Sequence, residues 1–505
     1  MSPAGPSATK GPDSTLISPP WSKWRPPPRP DSPKAPSPPS WNSRPMPSGS
    51  NNLVRTAAGR VSCNAKRGRC TSTAVNKSST TSRLATVPTA AGTFFPQRTT
   101  LRLDNHGYSP ALLQKIVEAA GRLRSAGQAA TALRLLAHLD ISPRHVTRLT
   151  NLIGAELAAQ RDQQVEQRRR RQLPPAVAAP PPLAVVEVDG GRLGTRQPGC
   201  GPGVHQVQHK EDKVACLISM ASQEHDPDPQ PEPPPSFVDP RRVQRLVQQV
   251  KSQSPLRDEA DDDAAVAPPP SPRPGAAEPW SGAPRPVLRT CVASTTTSRE
   301  FGPMVAAEAQ RRAFYEAPRA AFVADGLKYN WTIWRGYFRD FEPITDFLHV
   351  VCYVYLAAYA VGGEEAGRWA RYLRWLRACW QGQVGDVLDE LAAAAEHLGP
   401  LAEGEAVEDR NPRRVLREAL VYLSNNRARM DYPRYRRAGL PVTSSLVESL
   451  VGEFNARVKG PQKSWNRPAG AEPILQVRAA VLSEDDRLAR YFAQRPGNPY
   501  RRKAG

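Results

Sequence analysis

Proline decides where this chain is able to fold. The 505 residues carry 54 prolines, each without a backbone donor and each with φ fixed, so helices and ladders break wherever they crowd. They crowd in residues 1–100, in the run Gln172–Pro182, in the acidic loop Asp226–Pro235, and in a stretch from about residue 252 to 290 that includes the acidic block Glu259–Asp263. The first of these is rich in Pro, Ser, Thr and Arg and has no apolar period. It buries too little surface to offset its ordering entropy and is expected to be disordered. The second is expected to be an extended linker and the last a disordered insertion.

Charge narrows the partner. Lys and Arg number 69 against 48 Asp and Glu, a formal charge of +21. That balance points to a polyanion, with nucleic acid first and anionic membrane second. No apolar run reaches the roughly 18 residues of a membrane span; the nearest, Phe347–Val361, is broken by His349 and several tyrosines. No secretory leader is evident at the start. Seven scattered cysteines suggest a reducing compartment without a disulfide framework, hence the cytoplasm.

Helices are expected from Tyr108 onward. Ser109 caps a helix that opens on Pro110 and aligns Leu112, Ile116, Ala119 and Leu123 on one face. A second helix covers Ala129–Leu139. The turn Asp140-Ile141-Ser142-Pro143 leads to a third, from Pro143 to about Arg170. Short helices joined by such a turn look like a helix-turn-helix, with Arg144, His145, Thr147 and Arg148 facing outward toward DNA. A plain helical bundle is the alternative. The basic run Arg168–Arg171 follows.

The run Ala184–Leu193, A-V-V-E-V-D-G-G-R-L, reads as a short buried strand through Val185, Val186 and Val188. Gly190 and Gly191 are expected to end it, leaving Asp189 at the mouth of a sheet where a hard cation could be held. A solvated Asp at an ordinary strand end is the alternative. Lys213–Ala221 reads as a second strand, preceded by a polar hairpin loop with His205, His209, Glu211 and Asp212. Helices are expected over Phe237–Val250 and Met304–Tyr315. Then A-A-F-V-A-D-G, Ala320–Gly326, repeats the strand–Asp–Gly grammar at Asp325, with Lys328, Tyr329, Trp331 and Trp334 opening a helix behind it. Asp346 and His349, three apart, would share one helical face.

Residues 347–430 read as overwhelmingly helical, with Trp369, Tyr372 and Trp375 in a core. Arg427, Arg429, Arg434 and Arg436 mix with Tyr432 and Tyr435, the composition of a groove for a phosphate backbone or of a solvated basic surface. A further helix carries Glu448, with Leu446, Val447, Leu450, Val451 and Phe454 as its core face. Lys459 and Lys463 follow, then a closing helix Ile474–Leu482 and a basic tail.

Three phrases then stand in order: V-D-G-G at Asp189, A-D-G at Asp325 and S-S-L-V-E-S at Glu448, with D-F-L-H (Asp346 to His349) between the last two. Together they resemble the DDE transposases of bacterial insertion sequences, specifically the Mutator-like group, over about Tyr108 to Leu488. The lead-in G-L-P-V-T-S-S-L-V-E is similar to that group's, although Thr443-Ser444-Ser445 stand where a Gly-Ser-Gly pattern is expected. The resemblance implies an α/β fold: an RNase H-like mixed sheet flanked by helices. The catalytic domain would cover 183–350 and 439–490, interrupted by an all-helical insertion at 351–438. A helix-turn-helix-like DNA-binding domain at 101–171, the linker 172–182 and a tail at 491–505 complete the expected architecture.

By the same resemblance, Asp189, Asp325 and Glu448 would be catalytic and would hold two Mg²⁺ ions, with Mn²⁺ as a substitute. Asp346 is the alternative second aspartate; otherwise Asp346 and His349 would shape the site or contact DNA. Partners would be the element's terminal inverted repeats, target DNA and further copies of the chain, at the nucleoid of a bacterial cytoplasm. Arg144, His145, Arg148, Arg427, Arg429, Arg434, Arg436, Lys459 and Lys463 would contact DNA. Two other activities suit the same residues: a catalytically decayed DNA-binding regulator, and a structure-specific nuclease.

Overall fold

The computed structural model describes residues 108–195, 208–253, 280–400, 411–459, 465 and 470–495, with short strands between residues 55 and 94. Two units divide the chain, residues 1–61 and 62–505. The first contains an antiparallel pair, β1 (Arg55–Thr56) and β2 (Gly59–Arg60). The second opens on another antiparallel ladder, β3 (Ser62–Arg67), β4 (Thr81–Thr86) and β5 (Thr93–Phe94). Composition predicts no regular structure here; Thr-rich segments such as T-S-R-L-A-T are nevertheless well suited to a pleated ladder. The rest of residues 1–107 lies outside the described residues.

Three helices follow: α1 (Pro110–Arg122), α2 (Ala126–Ala137) and α3 (Pro143–Arg169). Ser109, Ser125 and Ser142 each accept a backbone N–H of the first turn, so the expected starts at Pro110 and Pro143 hold. Arg144 and Arg148 face solvent, and His145 is half-buried against Tyr108. These helices do not keep a core to themselves. Leu112, Leu113, Ile116, Val146, Leu149 and Ile153 share one core with Val477, Val481, Leu488 and Phe492 from the far end of the chain. The 27 residues of α3, at about 1.5 Å each, span some 40 Å, so its second half reaches beyond α1 and α2. The expected free linker is likewise tied down, with Leu173 buried and the Ala176 N–H bonded to the Arg311 carbonyl.

The central sheet contains β6 (Leu183–Thr195), β7 (Gln208–Ala221), β8 (Arg285–Ser294), β9 (Ala320–Ala324) and β10 (Glu342–Thr345), in the order β10-β9-β6-β7-β8. β6, β7 and β8 pair antiparallel, while β9 and β10 run parallel to β6. Helices lie on both faces, so the fold is α/β with a mixed sheet. On one face α6 (Ser298–Arg311) and α7 (Lys328–Tyr337), after the short α4 (Pro235–Val238) and α5 (Pro240–Gln253), bring Phe301, Val305 and Trp331 onto Val186, Val188 and Leu217. On the other face Val185, Val214 and Ile218 meet a wholly helical segment: α8 (Phe347–Ala360), α9 (Glu365–Trp380), α10 (Val384–Leu398), α11 (Pro412–Asn426) and α12 (Tyr432–Arg437). The chain closes with α13 (Ser445–Val458), α14 (Glu472–Leu482) and α15 (Arg487–Gln494).

Several expectations are corrected. β6 does not stop at Gly190 and Gly191; it runs to Thr195, because β7 goes on pairing with it through both glycines. His209, Glu211 and Asp212 belong to β7 rather than to a hairpin loop, while His205 lies outside the described residues. The expected insertion at 252–290 is narrower: α5 reaches Gln253, Trp280 is buried, and β8 begins at Arg285, leaving 254–279 outside the described residues. The tail is not loose at its start, since Arg495 is buried against Glu156, with guanidinium–carboxylate distances of 2.7 Å. Among the described residues no helix is long and apolar enough to cross a membrane.

α3 packs closely on α14 at Gly154. A Cβ on Gly154 would lie 2.0 Å from the Pro473 carbonyl oxygen, backbone that has no rotamer to yield. Gly154→Ala should therefore cost on the order of 1–3 kcal/mol as overpacking, read as a lower urea midpoint. Gly336→Ala, where a Cβ meets nothing within 4 Å, should leave the midpoint unchanged or raised.

Candidate active site at the ends of three parallel strands

The register of the parallel strands builds the site. Val188 is level with Ala324, and Ala324 with Thr345. The next residue on each strand is an aspartate: Asp189, Asp325 and Asp346. Adjacent strands lie about 4.8 Å apart, so the three acids form one row across the rim at the carboxyl ends of parallel strands, where open α/β sheets bind ligands. The β6–β9 ladder stops there, but β6 continues along β7, so Asp189 sits at a fork between strands rather than at a free end.

The three acids are held differently. Asp346 caps α8: its Oδ1 accepts N–H bonds from Leu348 at 3.1 Å and Ser444 at 2.9 Å, and its Oδ2 lies 2.7 Å from His349 Nδ1. It is fully buried, and every bond it makes is to a fixed partner. Asp325 turns its Oδ1 to the Leu327 N–H and the Asn330 amide, at 3.0 and 2.8 Å. Asp189 Oδ1 accepts the Gly190 N–H at 2.7 Å. Among the described residues no donor reaches the second oxygen of Asp189 or of Asp325. Both residues remain part-exposed. Asp325 therefore suits a ligand role better than Asp346, and Asp346 suits the task of orienting His349.

Burial in low dielectric is the main cause raising the carboxyls of both Asp189 and Asp325 above the ordinary range. For Asp189 the charge of Asp325 adds to this, and His349 opposes it. For Asp325 His349 is the strongest opposing influence, with its two hydrogen bonds next and Asp346 acting the other way. Two crowded acids with one imidazole and, among the described residues, no lysine or arginine partner hold a proton or a cation more readily than they hold two bare charges.

A fourth acid was not anticipated. Glu187 is fully buried in the middle of β6, and its Oε2 accepts the Val447 N–H at 2.8 Å in the first turn of α13. Desolvation pushes it up to about 8, the Val447 bond opposing. The signal was in V-V-E-V-D: alternation puts Glu187 on the same face as Val185 and Asp189. This bond places the start of α13 over β6, two residues before Asp189 on that strand. Glu448 is the residue after Val447; its side chain lies outside the described atoms. Among the described residues no three acidic, histidine or cysteine side chains form a complete metal cage.

The helical segment braces the row from above. Tyr422 donates its hydroxyl to the Asp325 carbonyl at 3.1 Å. Buried Asn426 accepts from Trp331 Nε1 at 3.2 Å and Arg429 at 3.2 Å, and donates to the Tyr422 carbonyl at 2.9 Å. Gly326, at φ +95, fits beneath these two side chains; a Cβ there would lie 2.7 Å from Tyr422 and 2.8 Å from Asn426.

The expected basic groove is not brought together as one surface. Arg436 is buried, bonded to both oxygens of Asp228 and stacked 4.2 Å from Trp380. Its role is internal, and the expectation of DNA contact is corrected. Arg434 is engaged by Glu342 at 2.6 Å and by Asp431. Arg429 is half-buried over the Trp331 ring at 4.2 Å. Arg427 and Lys459 are exposed, and Lys463 lies outside the described residues. A comparison with models of known protein families and with curated proteins finds no match.

Glu187 gives a pH signature. Its folded-state pKa of about 8 lies above an ordinary carboxyl, so between about pH 5 and 8 the folded chain keeps a proton the unfolded chain has released. Its stabilising contribution is complete below the ordinary carboxyl range and is lost as pH rises through 8. Glu187→Gln keeps the acceptor for Val447 and removes the titration. Urea midpoints measured across this range should show the variant losing a slope of up to about 1.4 kcal/mol per pH unit; identical slopes would exclude this placement of the proton.

Proposed function

We propose that the chain is a transposase of the DDE kind that cleaves DNA at the ends of its element and joins them to target DNA. The observation that carries this reading is the row of aspartates on adjacent parallel strands, with the Glu448 helix bonded over the same strand through Glu187. A mixed sheet interrupted by a wholly helical segment before that helix supports an RNase H-like core. The surplus of 69 basic over 48 acidic residues supports DNA as the partner.

The donor set fits a hard divalent cation. Asp189 and Asp325 are desolvated, Asp189 is raised further by the charge of Asp325 and Asp325 by that of Asp346, and each has one oxygen without a donor among the described residues. Carboxylate oxygen is what Mg²⁺ prefers. Asp189, Asp325 and Glu448 would hold it. Bound there, Mg²⁺ would supply Lewis-acid stabilisation of oxygens at the reacting phosphorus and a more acidic attacking water. The chain's own contribution is placement. Asp346 fixes the ring of His349 through Nδ1, His349 tempers the charge of both aspartates, and Asn330 and the Leu327 N–H set the rotamer of Asp325. No side chain is required as a covalent nucleophile.

The test uses the purified chain and DNA from the borders of its own coding region. The expected result is nicking and joining that require Mg²⁺ or Mn²⁺. Asp189→Ala and Asp325→Ala should lower both by a factor on the order of a thousand or more while end binding persists. Normal joining by Asp189→Ala would end the enzymatic reading. Binding without cleavage by the wild type would leave a DNA-binding regulator, and cutting without joining a nuclease.

A further inference from the structure

The arginines at the end of α3 do not behave as a solvated charge run. Glu166 is the carboxylate that serves them, and it is used twice: by Arg169 at 3.1 Å and by Arg170 at 2.8 Å. Among the described residues neither Arg168 nor Arg171 has a carboxylate within ion-pair distance. Arg168 is instead clamped between aromatic rings, its guanidinium carbon 5.5 Å from the centre of Tyr315 and 5.8 Å from that of Tyr337. Its Nη2 reaches the Tyr315 hydroxyl at a long 3.4 Å. Such a clamp fixes a cation without neutralising it.

Arg171 is held just as deliberately. It sits past the helix end at φ 58, the left-handed region, with its N–H bonded to the Arg168 carbonyl at 2.9 Å. Glycine is the residue that takes this conformation without penalty. The arginine there makes no side-chain hydrogen bond or ion pair among the described residues. Arg168, Arg169 and Arg171, with Leu173 and Gln310, line a recess of about 360 Å³ between the ends of α3 and α6. Arg169 is paired with Glu166, but Arg168 and Arg171 bring two charges without a carboxylate of their own among the described residues, and an anion in the recess would offset them.

We propose that this recess binds phosphate, and that its occupant is a phosphodiester of a nucleic-acid strand. The choice of a polynucleotide over free phosphate rests on the transposase reading; the anion site itself does not. Arg168 offers a planar, preoriented fork and Arg171 a second charge in the lining of the same recess. The recess lies where the end of α3 meets α6, so a bound strand would be gripped there and not only on the exposed face of Arg144 and Arg148.

The experiment uses the full chain, a short random-sequence duplex, and inorganic phosphate as separate probes. Phenylglyoxal modification of Arg168 and Arg171 is followed by mass spectrometry. Protection by duplex at concentrations where phosphate does nothing assigns the recess to a nucleic-acid strand; protection by phosphate as well, or alone, assigns it to phosphate chemistry more broadly. Protection by neither overturns the proposal. In parallel, Arg171→Gly should reduce the slope of log K against log salt for duplex binding by about 0.9, one phosphate contact, while its thermal midpoint stays level or rises because the backbone strain is gone. An unchanged slope with intact wild-type binding overturns the proposal and leaves the transposase reading standing. A wild-type chain that does not bind duplex sinks that reading, while the phosphate arm still decides the recess.

Discussion

The structure turns on a difference between the two edges of β6. On one edge the parallel ladder to β9 ends at Val188 and Ala324; on the other the antiparallel ladder to β7 continues to Thr195. A strand half released from its neighbours can turn a carboxylate out of the ladder without losing its own backbone order. That is what Asp189 does. The same register aligns Asp325 and Asp346, because β9 and β10 end level with it. The proposed catalytic reading rests on this alignment, together with the Glu187–Val447 bond that sets the start of the Glu448 helix over β6.

Desolvation is the cost of such a row. Glu187, Asp189, Asp325 and Asp212 all have carboxyls raised by burial, and each such group is costly to hold ionised in a low-dielectric interior. A sheet built only for stability would place valine at these positions. The surrounding core is large enough to absorb the penalty: β6 is buried on both faces, and aromatic groups such as Phe347, Trp380 and Tyr432 pack edge to face behind the site. The tyrosine and asparagine of α11 then fix the Asp325 turn from above. The helical segment therefore braces the acids as well as adding bulk.

Much of this was legible in the sequence. The caps at Ser109 and Ser142, the strands before Asp189 and Asp325, and the helical stretch after Phe347 follow from local signals that tertiary contacts reinforce. What escaped depended on partners distant in the chain. Gly190 and Gly191 read as a stop, yet β7 supplies a ladder that carries β6 through them. R-P-V-L-R-T, the first residues of β8, read as the end of a disordered insertion, yet the strand pairs with β7 and its inner half is buried. Arg436 read as a DNA contact until Asp228 and Trp380 closed around it. Glu187 was passed over because a single acid in a β-branched run has no local signature; its partner, Val447, lies far along the chain.

The central claim is that Asp189 and Asp325 share a cation. Electron paramagnetic resonance of Mn²⁺ added to the full chain measures this directly, without any DNA substrate. The account predicts a bound ion that Mg²⁺ displaces, with affinity falling at least tenfold in Asp189→Asn and in Asp325→Asn but little in Asp212→Asn, whose carboxylate faces Gly191 instead. Equal Mn²⁺ binding by all four proteins would contradict it.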